Sequence, residues 1–552
     1  MNIRVRTEPR AKFTEVAVEN GITFAELLAG YQDSLPYRIL AVKADHQVRE
    51  LNKTIDKPMD VTFLDMRSNA ANLIYQRSLS FIYTKAVYDV LGDVGVSIGN
   101  SLNKGLYTVI HKSPLNADEI NAVEIRMREV VSADIPFIKQ TVSKPEAYEL
   151  LNEDGRRDKR RMLESASDIE KVVFYSLDGF RSYFYGQMAP STGYIEYFEL
   201  RKYKNGVLLR FPHYSRPDQI PPYVDEKRLY EAFSEATQWG KLTGISVAAD
   251  LNSVIESGRC TEMIQLSEAL HEKSIAYIAD RIAQEKKRII LVAGPSSSGK
   301  TTFARRLCIQ LKVNGLTPLY MGTDDYFIDR VNCPLDEYGE PNFEDLIALD
   351  LDLFNGNMNA LLSGEAVDIP RYDFYLGKKV FGERVMKCKA GQPIVIEGIH
   401  GLNDKLTEGI DDAEKFRIYI SPLTALNIDD QNRIPTTDMR FLRRMIRDYQ
   451  FRGNAAKSTI NIWPKVRAGE DKNIFPFSGA ADVLFNSAHI YEISVLKKYA
   501  APLLDEIGED CDEYSEAVRL KKLLQFFKTI EDDSAIVNNS ILREFIGGSI
   551  FV

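Results

Sequence analysis

Several features are missing from this 552-residue chain, and each absence excludes something. No apolar run approaches the roughly 20 residues a bilayer helix needs, so no membrane partner is expected. Cysteine is sparse: Cys260, Cys308, Cys333, Cys388 and Cys511 lie far apart, with no pair at metal-ligand or redox spacing. That pattern argues against a disulfide framework and for reduced, buried thiols in a cytoplasmic setting. A basic excess is absent too. The 79 acidic residues outnumber the 70 basic ones, for a net charge of −9, which argues against a chain-wide nucleic-acid footprint and against a DNA partner. The opening "MNIRVRTEPR" has basic residues but no apolar stretch after them, and is read as no signal peptide. There is no internal repeat and no low-complexity tract.

What is present is an ordinary globular composition, 44% hydrophobic and 27% charged, in a chain too long for one core. Residues 1–66 alternate short β-like runs with one helical stretch, "FAELLAGYQ", as in a small α+β module. Helical spacing follows in "SLSFIYTKAVYDVLG" and in "NADEINAVEIRMREVVSA", where Asn116 suits an N-cap. The β pattern returns around 173–212, and the four prolines of "SRPDQIPPYVD" (215–225) read as a linker. The charge run "RRDKRR" (156–161) is read as a solvated helix face rather than an RNA site. Residues 226–287 are mostly helical, 288–505 alternate strand and helix as in a parallel α/β sheet, and 506–552 are helical, then irregular.

The strongest motif is "GPSSSGKT", which fits G-x-x-x-x-G-K-[ST] between the apolar run "RIILVA" and the helical run "TTFARRLCIQLK". Gly294, Pro295, Ser296, Ser297, Ser298, Gly299, Lys300, Thr301 and Thr302 are expected to cradle a nucleoside triphosphate with backbone N–H groups. Lys300 would neutralise the β- and γ-phosphates, and the Thr301 hydroxyl would ligate Mg²⁺.

Two further acidic positions follow apolar runs. "LYMGTDDYF" puts Asp324 where a strand's C-terminal end faces the ligand crevice, fit to orient or deprotonate an acceptor hydroxyl; a helix-capping aspartate pair is the alternative. "PIVIEGIHGL" puts Glu397 at a strand end, fit to hold the Mg²⁺ shell; a strand-end carboxylate without a metal role is the alternative. In "DMRFLRRMIRDYQFRG", Arg440, Arg443, Arg444 and Arg447 share one helix face.

Taken together, residues 286–500 resemble the uridine kinase and phosphoribulokinase branch of P-loop kinases. The matching segments are "GPSSSGKTT", "TDDYF", "NFEDLIALD", "IPRYDFYLGKK" and "VIEGIHGL". The resemblance implies Asp324 as general base and Glu344 as a ribose contact. It also implies Tyr372, Asp373 and Phe374 as base and sugar contacts, and Arg444, Arg447 and Arg452 as a lid over the phosphates. One departure stands out: a histidine that follows the "YDF" motif in uridine kinases is replaced by Gly377 and Lys378, which leaves the acceptor open and suits one with its own anionic group.

Residues 1–66 resemble the ubiquitin-like TGS domain of threonyl-tRNA synthetases, and 67–215 resemble the editing domain of the same enzymes. The editing histidines and cysteine are missing: the first window reads "QRSLSFIY", and in the second, "FYGQMAP", Tyr185 and Ala189 replace the expected cysteine and histidine. Hydrolytic editing is therefore read as lost.

The reading is a multidomain α/β and α+β chain: TGS-like 1–66, editing-like 67–215, linker and helical segment 216–287, doubly wound P-loop kinase 288–505 and helical tail 506–552. The resemblance implies an ATP- and Mg²⁺-dependent kinase acting on a nucleoside-like hydroxyl. The alternatives are a sugar-phosphate kinase like phosphoribulokinase, or a non-enzymatic ATP-binding RNA- or ribosome-associated regulator. RNA binding by the N-terminal half and a homo-oligomer stay open.

Overall fold

The computed structural model describes residues 1–9, 11–335, 339 and 341–552. At the N-terminus a five-stranded mixed sheet runs in the order Thr14–Ala17, Asn2–Arg6, Asp60–Asp65, Ile39–Ala44, Gln47–Arg49. The short helix Phe24–Ala29 packs on it, closed by a capping box between Thr23 and Glu26.

The second unit is built on the long helix Asn69–Leu91 and the helix Ala117–Ser132 packed beside it. Asn116 accepts the Glu119 backbone N–H, and Glu119 returns to the Asn116 backbone, which fixes where the second helix starts. A four-stranded and a three-stranded antiparallel sheet complete the unit. The run 156–161 lies on a helix with Arg157, Asp158 and Arg161 exposed, as read, and one residue departs from the solvated face. Lys159 is 1% exposed and donates to the Tyr183 carbonyl at 3.2 Å, with Asp429 at 3.6 Å balancing its charge. The proline-rich stretch read as a linker also packs: Arg201 lies over the Tyr223 ring at 3.8 Å, and Tyr203 donates to Asp225 at 2.6 Å.

The C-terminal half holds five parallel strands in the order Leu319–Gly322, Ile394–Glu397, Ile289–Ala293, Lys415–Ser421, Val483–Asn486. The central strand, "IILVA", is buried throughout, as a strand covered on both faces must be. The first strand in sequence sits in the middle, so the chain winds both ways from it and leaves a crevice at the C-terminal strand ends. One contiguous core takes in Val142, Leu163, Ile278, Phe416, Trp463 and Phe545. The boundaries drawn at 215/216 and 505/506 therefore do not separate independent cores. The tail, read as helical and then irregular, forms the helix Tyr514–Leu524 and then irregular chain up to the short helical turn Arg543–Ile546; Arg543 pins that chain by donating to the Asp533 carbonyl at 2.7 Å. No helix among the described residues is long and apolar enough to cross a membrane.

Candidate active site

The parallel register decides which side chains meet. Val292 and Gly322 both pair with Glu397, so the loop after Val292, the turn after Gly322 and the Glu397 carboxylate emerge at one sheet edge. The phosphate loop then turns into the helix Lys300–Val313. A side chain at Gly294 would collide with the Ile420 carbonyl, so only glycine lets the loop pass so close to the neighbouring strand.

Lys300 Nζ donates to the Gly294 and Pro295 carbonyls at 3.0 and 3.1 Å, and burial lowers its pKa. The Thr301 hydroxyl donates to Glu397 Oε1 at 2.9 Å. Burial raises Glu397 to about 7, against the opposing pull of Lys300. Asp324 lies in the turn Thr323–Tyr326, and its carboxylate has no hydrogen-bond partner among the described residues. The residue as a whole is exposed, yet protein surrounds its carboxylate closely enough that desolvation raises its pKa, while Lys300 opposes the rise. Its neighbour Asp325 is engaged, accepting from Arg384 at 2.6 Å.

The arginine helix Thr436–Arg452 divides its labour. Arg440 and Arg443 are buried, each in a two-pronged ion pair, with Glu470 and Glu492 respectively. Their remaining N–H groups take the Ser296 and Ser297 carbonyls at 3.2 and 3.3 Å, which ties the outer side of the phosphate loop to the helix. Arg444 and Arg447 reach the loop's hydroxyls instead, at Ser296 Oγ (2.8 Å) and Ser297 Oγ (3.2 Å). Burial lowers Arg447 to about 10. Arg452 does not touch the loop: it is half exposed and pairs with Asp448 at 3.0 Å, acting on Asp324 only through its charge.

On the other side of the crevice, Glu344 packs against the helix Ala456–Asn473, and burial raises it to about 7, with Glu470 adding to the rise. Tyr372 is buried, its ring 5.1 Å from that of Phe374. The Asp373 carboxylate closes its own turn, accepting the Tyr375 and Leu376 N–H groups, both at 2.9 Å. Phe374 is 59% exposed.

Sequence reading missed three carboxylates. Glu470 accepts the Ser296 N–H at 2.9 Å, and Glu492 anchors Arg443. Glu544, from the tail, accepts from the Thr302 hydroxyl at 2.8 Å and from Arg447 at 3.4 Å. No local signal marks them, because each partner is distant in sequence.

The donor set fits a magnesium nucleoside triphosphate. A helix N-terminus, Lys300, Arg444 and Arg447 suit polyphosphate, and the paired oxygens of Thr301 and Glu397 suit a hard cation. The buried Ser298 hydroxyl is left without a partner at the same loop.

Residues 289–494 match the model of the phosphoribulokinase/uridine kinase family. The uridine kinase of Staphylococcus aureus strain JH9 is 30% identical over 197 residues, 36% of this chain and 86% of that protein. The strain Newman uridine kinase gives the same values. Among solved structures, one described as a possible uridine kinase from Bacillus stearothermophilus is 18% identical with a TM-score of 0.22, over 36% of this chain and 88% of that one. The D-glycerate 3-kinase of Cryptococcus neoformans var. grubii is 19% identical with a TM-score of 0.20, over 25% and 57%.

Proposed function

Since the chain belongs, through residues 289–494, to the phosphoribulokinase/uridine kinase family, we propose that it transfers the terminal phosphoryl group of ATP to a hydroxyl of a nucleoside-like acceptor, in the cytoplasm. One observation carries the reading: Asp324 offers an unpartnered carboxylate beside Lys300 at the mouth of the phosphate loop. A bare nucleotide switch has no use for such a group; an alcohol that must lose its proton during attack does.

In this mechanism the loop amides, Lys300, Arg444 and Arg447 bind the polyphosphate and hold the charge that spreads over the transferring group. Thr301 and Glu397 would hold Mg²⁺, which when bound supplies electrostatic neutralisation of the phosphate oxygens. Asp324 accepts a hydrogen bond from the acceptor hydroxyl, aims its oxygen at the terminal phosphorus and takes the proton as the new O–P bond forms. Glu344, Tyr372, Asp373 and Phe374 line the acceptor side, with Asp373 shaping the turn that presents Phe374. The N-terminal half, resembling TGS and editing domains, stands outside this chemistry, and RNA binding and self-association would both be properties of that half.

The test is a panel of nucleosides and sugar phosphates with γ-labelled ATP, read by identifying the labelled product. Labelled nucleoside monophosphate supports the reading. Gly377 and Lys378, in place of the family's histidine, favour a second one, in which a sugar phosphate is labelled instead. ATP turnover that responds only to RNA would refute both.

A further inference from the structure

Where residues 67–215 meet the C-terminal half, the nearby carboxylates are already taken. Glu50 accepts from Lys139 at 3.0 Å and from the Tyr175 hydroxyl at 2.6 Å. Asp438 receives both prongs of Arg519, at 2.6 and 2.8 Å. Two more arginines stand beside them with none. Arg77, on the helix Asn69–Leu91, donates to the Gln187 carbonyl at 2.6 Å and lies 5.5 Å from the Tyr185 ring centre. A Cβ at Gly186 would collide with its guanidinium, so glycine there lets the fork lie against the backbone. Arg433, just before the arginine helix, donates to the Gln76 side-chain oxygen at 3.3 Å. Neither guanidinium has a carboxylate within 4.0 Å among the described residues. Burial lowers the pKa of both.

Both arginines line one cavity of about 50 Å³, together with Gln76, Ser80, Tyr185 and Asn432. The windows "QRSLSFIY" and "FYGQMAP" converge on it, and the kinase chemistry uses neither. At roughly 10–15 Å³ per water position it has room for several waters or one tetrahedral oxyanion. Two half-buried guanidiniums without a paired carboxylate are costly, and the guanidinium fork matches the oxygens of phosphate. We infer that this cavity binds a phosphate group, as the free ion or as the head of a small monoester, between Arg77 and Arg433. The anion would join the N-terminal half to the segment entering the helix that carries Arg444 and Arg447. Nothing in this depends on the kinase acceptor.

The test uses the full chain with its phosphate loop saturated by Mg²⁺ and a non-hydrolysable ATP analogue, which fills the terminal-phosphate position as well, so that a second anion site is read alone. Inorganic phosphate and glycerol 3-phosphate are titrated separately, followed by Tm and by calorimetry. A saturable rise in Tm with phosphate is expected. Arg77→Gln and Arg433→Gln should each weaken it about tenfold, the worth of one charge-assisted hydrogen bond. Heat from glycerol 3-phosphate as well marks a monoester site; heat from phosphate alone marks a free-ion site. No saturable response, or one that both variants leave intact, overturns the proposal. A stability control separates binding from folding. Without added anion, Arg433→Gln should keep or raise Tm, because it removes an uncompensated charge. A marked fall would mean that the protein already neutralises that arginine, and would likewise overturn the site.

Discussion

The two sides of the crevice are built on different principles. On the donor side the polar groups are interlocked before any ligand arrives: Arg440 and Arg443 hold the phosphate loop through its carbonyls, Arg444 and Arg447 through its serine hydroxyls. Glu470, Glu492 and Glu544 fix three of those arginines in turn. On the side proposed to take the acceptor, the segment 371–381 is a short hairpin that leaves apolar surface in water, with Phe374 59%, Tyr375 92% and Phe381 50% exposed. A preorganised donor site suits charge stabilisation, which loses its value if dipoles must reorganise during the reaction. An open apolar hairpin suits recognition by burial, where contact with the acceptor supplies the ordering.

If that contrast is right, damage to the two sides differs in kind. The largest effect belongs to the junction between them. Asp324→Asn should lower kcat by about 10²–10⁴, the span of general acid–base contributions, and leave ATP affinity nearly unchanged. Equal loss of both, measured by turnover and by nucleotide titration, would make Asp324 a binding or folding residue. Next stands Arg447→Met, expected to lower kcat by about 10²-fold with a smaller change in KM for ATP, as for removal of one preorganised charge donor. Glu544→Gln leaves Arg447 in place but loosens it, so its defect should be smaller and of the same kind.

The pH response sharpens the comparison, because each side carries one carboxyl raised to about 7, Glu397 beside the phosphate loop and Glu344 across the crevice. Glu397 has a folded-state pKa of about 7, raised by burial above the ordinary carboxylate range. A raised carboxyl contributes stability that is fully present below its unfolded value and lost as pH climbs through the folded one. Tm without nucleotide should therefore fall between about pH 5 and 8. Activity should move the other way if Glu397 holds the metal as proposed, because a hard cation is held by the ionised carboxylate; kcat/KM should then drop about tenfold per pH unit below about 7. Glu344 is raised to about 7 as well, so Glu397→Gln should reduce the Tm slope by about half rather than abolish it. A slope left unchanged in the variant would assign the whole titration to other groups, Glu344 first.

How much of this was legible beforehand follows the same division. The phosphate loop and the strand-end carboxylates at 324 and 397 are read locally, since glycine spacing and the end of an apolar run fix where backbone and side chain point. The spacing of Arg440, Arg443, Arg444 and Arg447 gave a shared face but not its split, which depends on carboxylates 30 residues on at Glu470 and 49 on at Glu492. Glu544 is 242 residues from Thr302, and no periodicity joins them. Prolines at 215–225 are read as a linker, but whether such a segment packs is decided by the rings beside it, here Tyr223 under Arg201.

The smallest effect tests the acceptor side on its own terms. Phe374 contributes no hydrogen bond through its side chain and sits edge-on to Tyr372, with more than half its surface in solvent. If the hairpin recognises its acceptor by covering it, Phe374→Ala removes contact area and little else. KM for the acceptor should rise a few-fold to about 30-fold, the equivalent of about 1–2 kcal/mol of lost apolar burial, while kcat and KM for ATP hold. Stability should barely change, because an exposed ring is not part of the core. A fall in kcat with KM unchanged would say the opposite: that the hairpin acts in the transition state, and that the acceptor side is as preorganised as the donor side. The two outcomes separate cleanly in initial rates measured at saturating ATP over a range of acceptor concentrations.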